Sequence, residues 1–199
     1  MALPRLLEIP SEHLFLDGHD VTQVALSDLR GAIAFVPQDS FLFSTTIKNN
    51  IRYGDPTAEQ FEVKHAAKEA QLHSEILNFP KQYKTVVGER GITLSGGQRQ
   101  RSALSRALLV DAPFLVLDDA LSSVDNQTAT QILANLSNET QRKTVIFVSH
   151  QMSAAASCDR ILVMDQGRIV QSGTHDTLVS QPGLYQELWN QHKLKEVLE

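Results

Sequence analysis

Apolar and polar positions along this chain alternate between strand-like and helical rhythms. His13-Leu14-Phe15-Leu16-Asp17-Gly18 reads as a short strand running into a turn, and Ala32-Ile33-Ala34-Phe35-Val36 as a strand stopped by Pro37. From Thr57 to Leu77, the positions Phe61, Ala66, Ala67, Ala70, Leu72, Ile76 and Leu77 follow a helical spacing that Pro80 ends. Ala103, Leu104, Ala107 and Leu108 fall at helical spacing behind Ser95-Gly96-Gly97. Apolar, β-branched runs return at Phe114 to Leu117, Val145 to Val148 and Ile161 to Met164, separated by stretches long enough for helices. That alternation predicts a largely parallel sheet with βα crossovers. Asp165-Gln166-Gly167 separates Ile161 to Met164 from Arg168-Ile169-Val170-Gln171, as in an antiparallel hairpin at a sheet edge. The tail from Leu184 carries Leu188, Trp189, His192 and Leu198 among charges, the pattern of an amphipathic terminal helix.

The elements group into an α/β core drawn from residues 1–38 and 113–199, interrupted by a helical subdomain over residues 39–112. With 199 residues, 42% of them apolar, the chain can bury one sizeable core. A net charge of -5 argues against a broad nucleic-acid or anionic-membrane surface. Arg99, Arg101 and Arg106 read as the solvated face of a helix, with a local basic patch as the alternative. Cys158 is the single cysteine, so no disulfide forms within the chain and no metal-type Cys/His spacing exists. The start of the chain has too short an apolar run for a signal peptide, and no stretch approaches the roughly 20 apolar residues of a membrane helix. A cytoplasmic location is expected, with any membrane association supplied by a partner.

Several residues can carry chemistry. Ser95-Gly96-Gly97 opens a helix, where glycines permit close backbone approach and the first N–H groups, with a hydroxyl, make an anion site; an ordinary helix cap has the same residues. Asp118 closes an apolar strand, from which a carboxylate can hold Mg²⁺ or simply cap the next segment. His150 follows the strand Val145 to Val148 and lies at another strand end, the usual place of catalytic groups in open α/β sheets. Gln38 sits in the loop after Val36-Pro37.

Taken in order, Gln38, Thr85-Val86-Val87-Gly88-Glu89-Arg90-Gly91, Leu94-Ser95-Gly96-Gly97-Gln98, Phe114 to Asp119, Ser122-Ser123-Val124-Asp125 and His150 resemble the Q-loop, the pre-signature segment, the LSGGQ signature, Walker B, the D-loop and the switch histidine of an ATP-binding cassette (ABC) ATPase. The resemblance covers essentially the whole chain and is of the exporter type. It implies a P-loop NTPase-like α/β fold with an inserted helical subdomain, in which two cassettes sandwich ATP and Mg²⁺. It also implies roles: Asp118 and Gln38 for the metal; Asp119, Gln38 and His150 for the attacking water and γ-phosphate; Ser95, Gly96, Gly97, Gln98 and Asp125 for nucleotide across a dimer. The implied partners are a second nucleotide-binding domain and an exporter's transmembrane domain, received by Gln38 to Asn50 and Thr85 to Gly91, at the cytoplasmic face of a membrane.

Two departures stand out. No G-x-x-x-x-G-K-[ST] phosphate loop occurs, and Met1 falls about where that loop should have ended. The resemblance therefore implies an N-terminally truncated cassette, lacking the strand before the loop and keeping at most the end of the following helix in Leu3 to Leu7. The second departure is Asp119, where the family usually has Glu; its carboxylate sits one C–C bond, about 1.5 Å, further back. ATP binding in isolation is expected to be weak and hydrolysis absent. Alternatives are a non-catalytic subunit lending its LSGGQ surface to an intact cassette, and a gene fragment. The related DNA-repair and chromosome ATPases carry long coiled-coil insertions that this chain lacks.

Overall fold

The computed structural model describes residues 2–88, 92–139 and 143–198, without the side chains of 138, 139 and 196–198. Strands β1 (Phe15–Leu16) and β2 (His19–Asp20) form a small antiparallel hairpin. Its turn is Asp17-Gly18, both at positive φ, 50° and 80°, which Asp and Gly tolerate better than other residues. Helix α1 (Leu26–Gly31) leads into β3 (Ile33–Val36). A helical run follows: α2 (Ile47–Arg52), α3 (Gln60–Glu69), α4 (His73–Asn78), a 3₁₀ turn at Gln82–Lys84 and α5 (Gly96–Leu109). Then come β4 (Phe114–Asp118), α6 (Asn126–Glu139), β5 (Thr144–Val148), α7 (Met152–Ala156), β6 (Ile161–Asp165), β7 (Arg168–Gly173), α8 (His175–Ser180) and α9 (Leu184–Leu198).

The central sheet is parallel, in the order β3-β4-β5, with Ile33 opposite Phe114 and Leu115 opposite Val145. Strand alternation sends Leu115 and Leu117 to one face and Val116 to the other. On the first face, Ala34, Val36, Leu115 and Leu117 pack against Ala103, Leu104 and Ala107 of α5 and Ala129, Ile132, Leu133 and Leu136 of α6. On the opposite face, Val116 and Ile33 pack with Val21 and Leu29. The helical run has its own cluster, built on Ile47, Ile51, Val63, Ala67, Leu72, Ile76, Tyr83, Val87 and Leu94. Helix α5 belongs to both layers, since Leu104 lies in the first cluster while Leu109 packs on the helical one. Full burial of a Leu or Ile stabilises by about 1.5–3 kcal/mol, so these clusters hold α5 firmly between the layers.

Four expectations need correction. The helix expected over Thr57 to Leu77 is two helices, because Gln71 adopts φ 52° and turns the chain before α4. Leu3 to Leu7 forms turns rather than a helix end. The parallel sheet stops at β5 among the described residues; the Ile161 run pairs instead with β7 in a separate two-stranded antiparallel sheet. Among the described side chains of α9 the buried residue is Tyr185; Leu188 is exposed, Trp189 and His192 are half-buried, and the Leu198 side chain lies outside the described residues.

Candidate functional site

The signature turn is fixed by local capping and then by a charged brace. Ser95 is the N-cap of α5: its Oγ accepts from the Gln98 N–H at 3.2 Å, while Gln98 Oε1 accepts from the Ser95 N–H at 3.0 Å. Gln98 Nε2 donates to Glu75 Oε2 of α4 at 2.8 Å, and the other Glu75 oxygen meets Arg101 Nη1 at 2.6 Å. Arg101 also donates to the carbonyls of Gln71 (2.6 Å) and Gly97 (3.3 Å). The left-handed residue Gln71 thus ends α3 with its carbonyl toward the signature helix.

Arg101 is 8% exposed, so the reading of these arginines as a solvated face is overturned. Arg106 is turned inward too: it donates to the Asn50 carbonyl at 2.9 Å, its guanidinium lies 5.7 Å and 5.6 Å from the Phe43 and Tyr53 ring centres, and burial lowers its pKa. Of the three, Arg99 alone is exposed.

Both signature glycines lie against the chain's own D-loop. A Cβ on Gly96 would stand 3.1 Å from the Ser123 side chain, and one on Gly97 would stand 2.8 Å from the Ser123 carbonyl oxygen. The close approach that glycine permits is therefore made at least partly by Ser123. Asp125 caps α6, accepting from the Thr128 N–H at 2.9 Å, and this bond lowers its pKa. Its carboxylate remains exposed.

At the other end of this loop, three parallel strands bring their C-terminal ends together. Gln38, two residues past β3, donates through Nε2 to Asp119 Oδ2 at 3.3 Å, although 81 residues separate them. Asp118 is half-buried in register with Val148, and the Asp119 N–H donates to the Val148 carbonyl at 2.8 Å. Asp119 itself has φ 47°. His150 stands exposed two residues beyond Val148. Parallel register thus brings Gln38 and Asp119 into contact at this edge and sets His150 just beyond the neighbouring strand. Asp118 and Asp119 suit Mg²⁺, which takes one or two carboxylates and completes its shell with water and phosphates. Among the described residues no group of three or more His, Cys, Asp or Glu could cage a metal unaided. For the triphosphate the fit is one-sided, because the sequence holds no G-x-x-x-x-G-K-[ST] phosphate loop, whose backbone donors and lysine would cradle it.

Two distant segments meet on another surface. Thr46 bridges to Val86, the Val87 N–H donates to the Thr45 carbonyl at 2.9 Å, and the Ile47 N–H to the Thr85 carbonyl at 2.9 Å. Phe41, Phe43, Tyr53 and Val86 are exposed around this junction. The continuation Glu89 to Gly91, which sequence reasoning included in the same surface, lies outside the described residues.

Sequence reasoning missed Glu75, Arg101, Gln100 and Gln151 as site-building residues. Gln100 carried a signal, since it sits three and four positions before Ala103 and Leu104, on the apolar face of its helix. Glu75 and Gln151 carried none.

The family model for ABC transporters matches residues 1–122, and the chain belongs to that family. Its fold is that of an ABC ATPase, and its relatives are ABC exporters. "ABC transporter B family member 24, mitochondrial" of Arabidopsis thaliana is 42% identical over 191 residues, covering 96% of this chain and 28% of that protein. "Multidrug resistance-like ATP-binding protein MdlA" of Escherichia coli K12 is 46% identical over 183 residues, covering 91% of this chain and 31% of that protein. The solved "Structure of a bacterial Atm1-family ABC exporter with ATP bound" superposes with a TM-score of 0.85 at 42% identity, over 89% of this chain and 31% of that one. The chain thus spans less than a third of each of these proteins. The family uses ATP and Mg²⁺ in general, and its exporters pair nucleotide-binding domains with transmembrane domains and dimerise. Among the described residues no helix is long and apolar enough to cross a membrane.

Proposed function

We propose that this chain works as one side of a cassette pair in an exporter-type ABC transporter, presenting its signature turn to a nucleotide held by the phosphate loop of a second cassette. In such a pair, ATP binding and hydrolysis couple to transport. The observation that carries the reading is the signature turn itself. Ser95 is exposed, the first N–H groups of α5 have no intrahelical acceptor, and the turn is held by a capping box and the Glu75–Arg101 ion pair. A site so restrained needs little reorganisation to accept a phosphate.

Ser95, Gly96, Gly97 and Gln98 then meet the partner's nucleotide, and Asp125 lies beside it on the D-loop. At the chain's own strand ends, Asp118 and Gln38 would hold Mg²⁺, Asp119 would orient the attacking water and His150 would hydrogen-bond the γ-phosphate, were a complete phosphate loop to hold a nucleotide there. The proposed division is a core of residues 1–38 and 113–199 and a helical subdomain of 39–112, supported by the separate cluster under α2 to α4. The junction of Thr45–Ile47 with Thr85–Val87, flanked by exposed aromatic rings, is the proposed seat of the transmembrane partner, at the cytoplasmic face of a membrane.

The chain alone binds Mg-ATP no tighter than about 1 mM, which corresponds to roughly -4 kcal/mol. Its turnover is negligible, since losing even one preorganised donor to a developing charge costs about 10² to 10³ in rate. Titration calorimetry of the chain with Mg-ATP, followed by ATP-dependent association with an intact cassette, tests the reading. Micromolar binding by the chain alone, or no association with the intact cassette, overturns it.

A further inference from the structure

The segment between Asp119 and Asp125 joins the signature turn to the strand ends, and two glutamines from different elements hold it. Gln100, on α5 and 5% exposed, accepts the Ser123 N–H through Oε1 at 2.8 Å and donates through Nε2 to Ser122 Oγ at 2.9 Å. Gln151, the residue after His150, donates through Nε2 to the carbonyls of Leu121 (3.1 Å) and Val124 (3.2 Å). Leu121 and Val124 are buried, while Ser122 and Ser123 are exposed. The loop is therefore anchored by its apolar residues and aimed by its polar ones. Ser123 also fills the space over Gly96 and Gly97 that any side chain there would occupy.

We propose that Gln100 is a positioning residue which fastens the 119–125 loop to the signature turn, so that the face offered to a second cassette is one preassembled unit. Gln151 fastens the same loop on the His150 side. The physical reason lies in the chemistry of glutamine. One buried side chain satisfies a backbone donor and a hydroxyl acceptor at once, in an environment where an unmatched polar atom is costly. An apolar residue at 100 leaves the Ser123 N–H unpaired, and the loop then samples positions in which Ser123 no longer covers the glycines. The inference rests on the reading that this face meets a second cassette; the joint itself is a property of the chain alone.

Gln100→Leu and the milder Ser122→Ala, which removes only one of the two bonds, test it by amide exchange on the full chain. In Gln100→Leu, exchange at Ser123 should rise about fivefold to tenfold, the worth of one hydrogen bond, while the amides of β4 and α6 keep their wild-type rates. Ser122→Ala should give a smaller rise, and the double variant no more than Gln100→Leu, because both act through one contact. An unchanged Ser123 rate, or an equal rise across β4 and α6, overturns the joint. The second arm measures ATP-dependent association with an intact cassette carrying a complete phosphate loop. Gln100→Leu should weaken it about tenfold, a loss that a merely structural change confined to the loop's interior would not cause. Unchanged association despite local loosening also overturns the proposal. If the wild-type chain itself does not associate, the functional reading fails, and the exchange arm alone decides the joint.

Discussion

Strands β4 and β5 are neighbours of equal length in one parallel sheet, and both read as apolar: Phe114-Leu115-Val116-Leu117-Asp118 and Thr144-Val145-Ile146-Phe147-Val148. Their environments differ sharply. In β4 the three central residues are buried, Leu117 completely, between α5 and α6 on one face and the N-terminal layer on the other. In β5 only Val145 and Phe147 pack against the core, while Ile146 and Val148 are 40% and 52% exposed. The reason is topological. The layer built on Val21 and Leu29 covers β3 and β4, and among the described residues β5 pairs with β4 alone. A continuous apolar run is the composition of an interior parallel strand, so β5 has an interior sequence at an edge position.

The largest test of that difference is truncation. Leu117→Ala should destabilise the chain by about 2–5 kcal/mol, and Val148→Ala by no more than about 0.5 kcal/mol, read from denaturant midpoints. Comparable losses would mean that β5 is covered in solution and that the contrast is false. Charge sharpens it further. Val148→Lys should reduce light scattering at matched concentration with little change in stability, because a lysine on an exposed edge discourages strand pairing, whereas Val116→Lys should prevent folding. A monodisperse wild-type chain, unaltered by Val148→Lys, would show that the edge does not self-associate.

A subtler contrast lies in amide exchange. The N–H groups of β5 that do not bond β4 should exchange about 10²-fold faster than those of β4, and 1 mM Mg-ATP should change neither, given the weak affinity expected of the chain alone. The smallest effect is titration in the helical layer. Burial lowers the His73 pKa, with Lys68 and Lys64 adding to the shift, and its Nδ1 lies 2.7 Å from the Tyr83 hydroxyl. A histidine with a depressed folded pKa gives its full contribution above the unfolded value of about 6.5 and loses it progressively as pH falls from there through the lower folded value. Stability should decline on the acid side of pH 6.5, and His73→Gln should flatten that decline in pH-dependent melting.

The same contrast separates what was legible in the residues from what was not. Strand existence was legible at β3, β4, β5 and β6, because short β-branched runs bounded by turn residues have few other uses. The capping chemistry of Ser95 and the turn at Asp165-Gln166-Gly167 were legible for the same reason: both are local. The break between α3 and α4 was hidden, since an apolar rhythm continues through Gln71 and no glycine marks the left-handed position; the turn is closed by the Leu72 N–H on the Ala67 carbonyl (2.8 Å) and the Gln71 N–H on the Lys68 carbonyl (2.9 Å), and Arg101 then takes the Gln71 carbonyl. Arg101 and Arg106 were misread because helical spacing records which residues are polar, without recording that a neighbouring layer offers Glu75, Asn50 and two aromatic rings.

By itself, then, the sequence determined the core strands, the signature turn and the strand-end position of Asp118 and Asp119, since each depends on interactions within a few residues. Tertiary structure alone decided the rest. It brought Gln38 to Asp119 across 81 residues, set Ser123 over Gly96 and Gly97, turned two arginines inward and left β5 at an edge. Those outcomes depend on which surfaces meet after the chain folds, and contacts between residues distant in sequence leave no periodic trace along it.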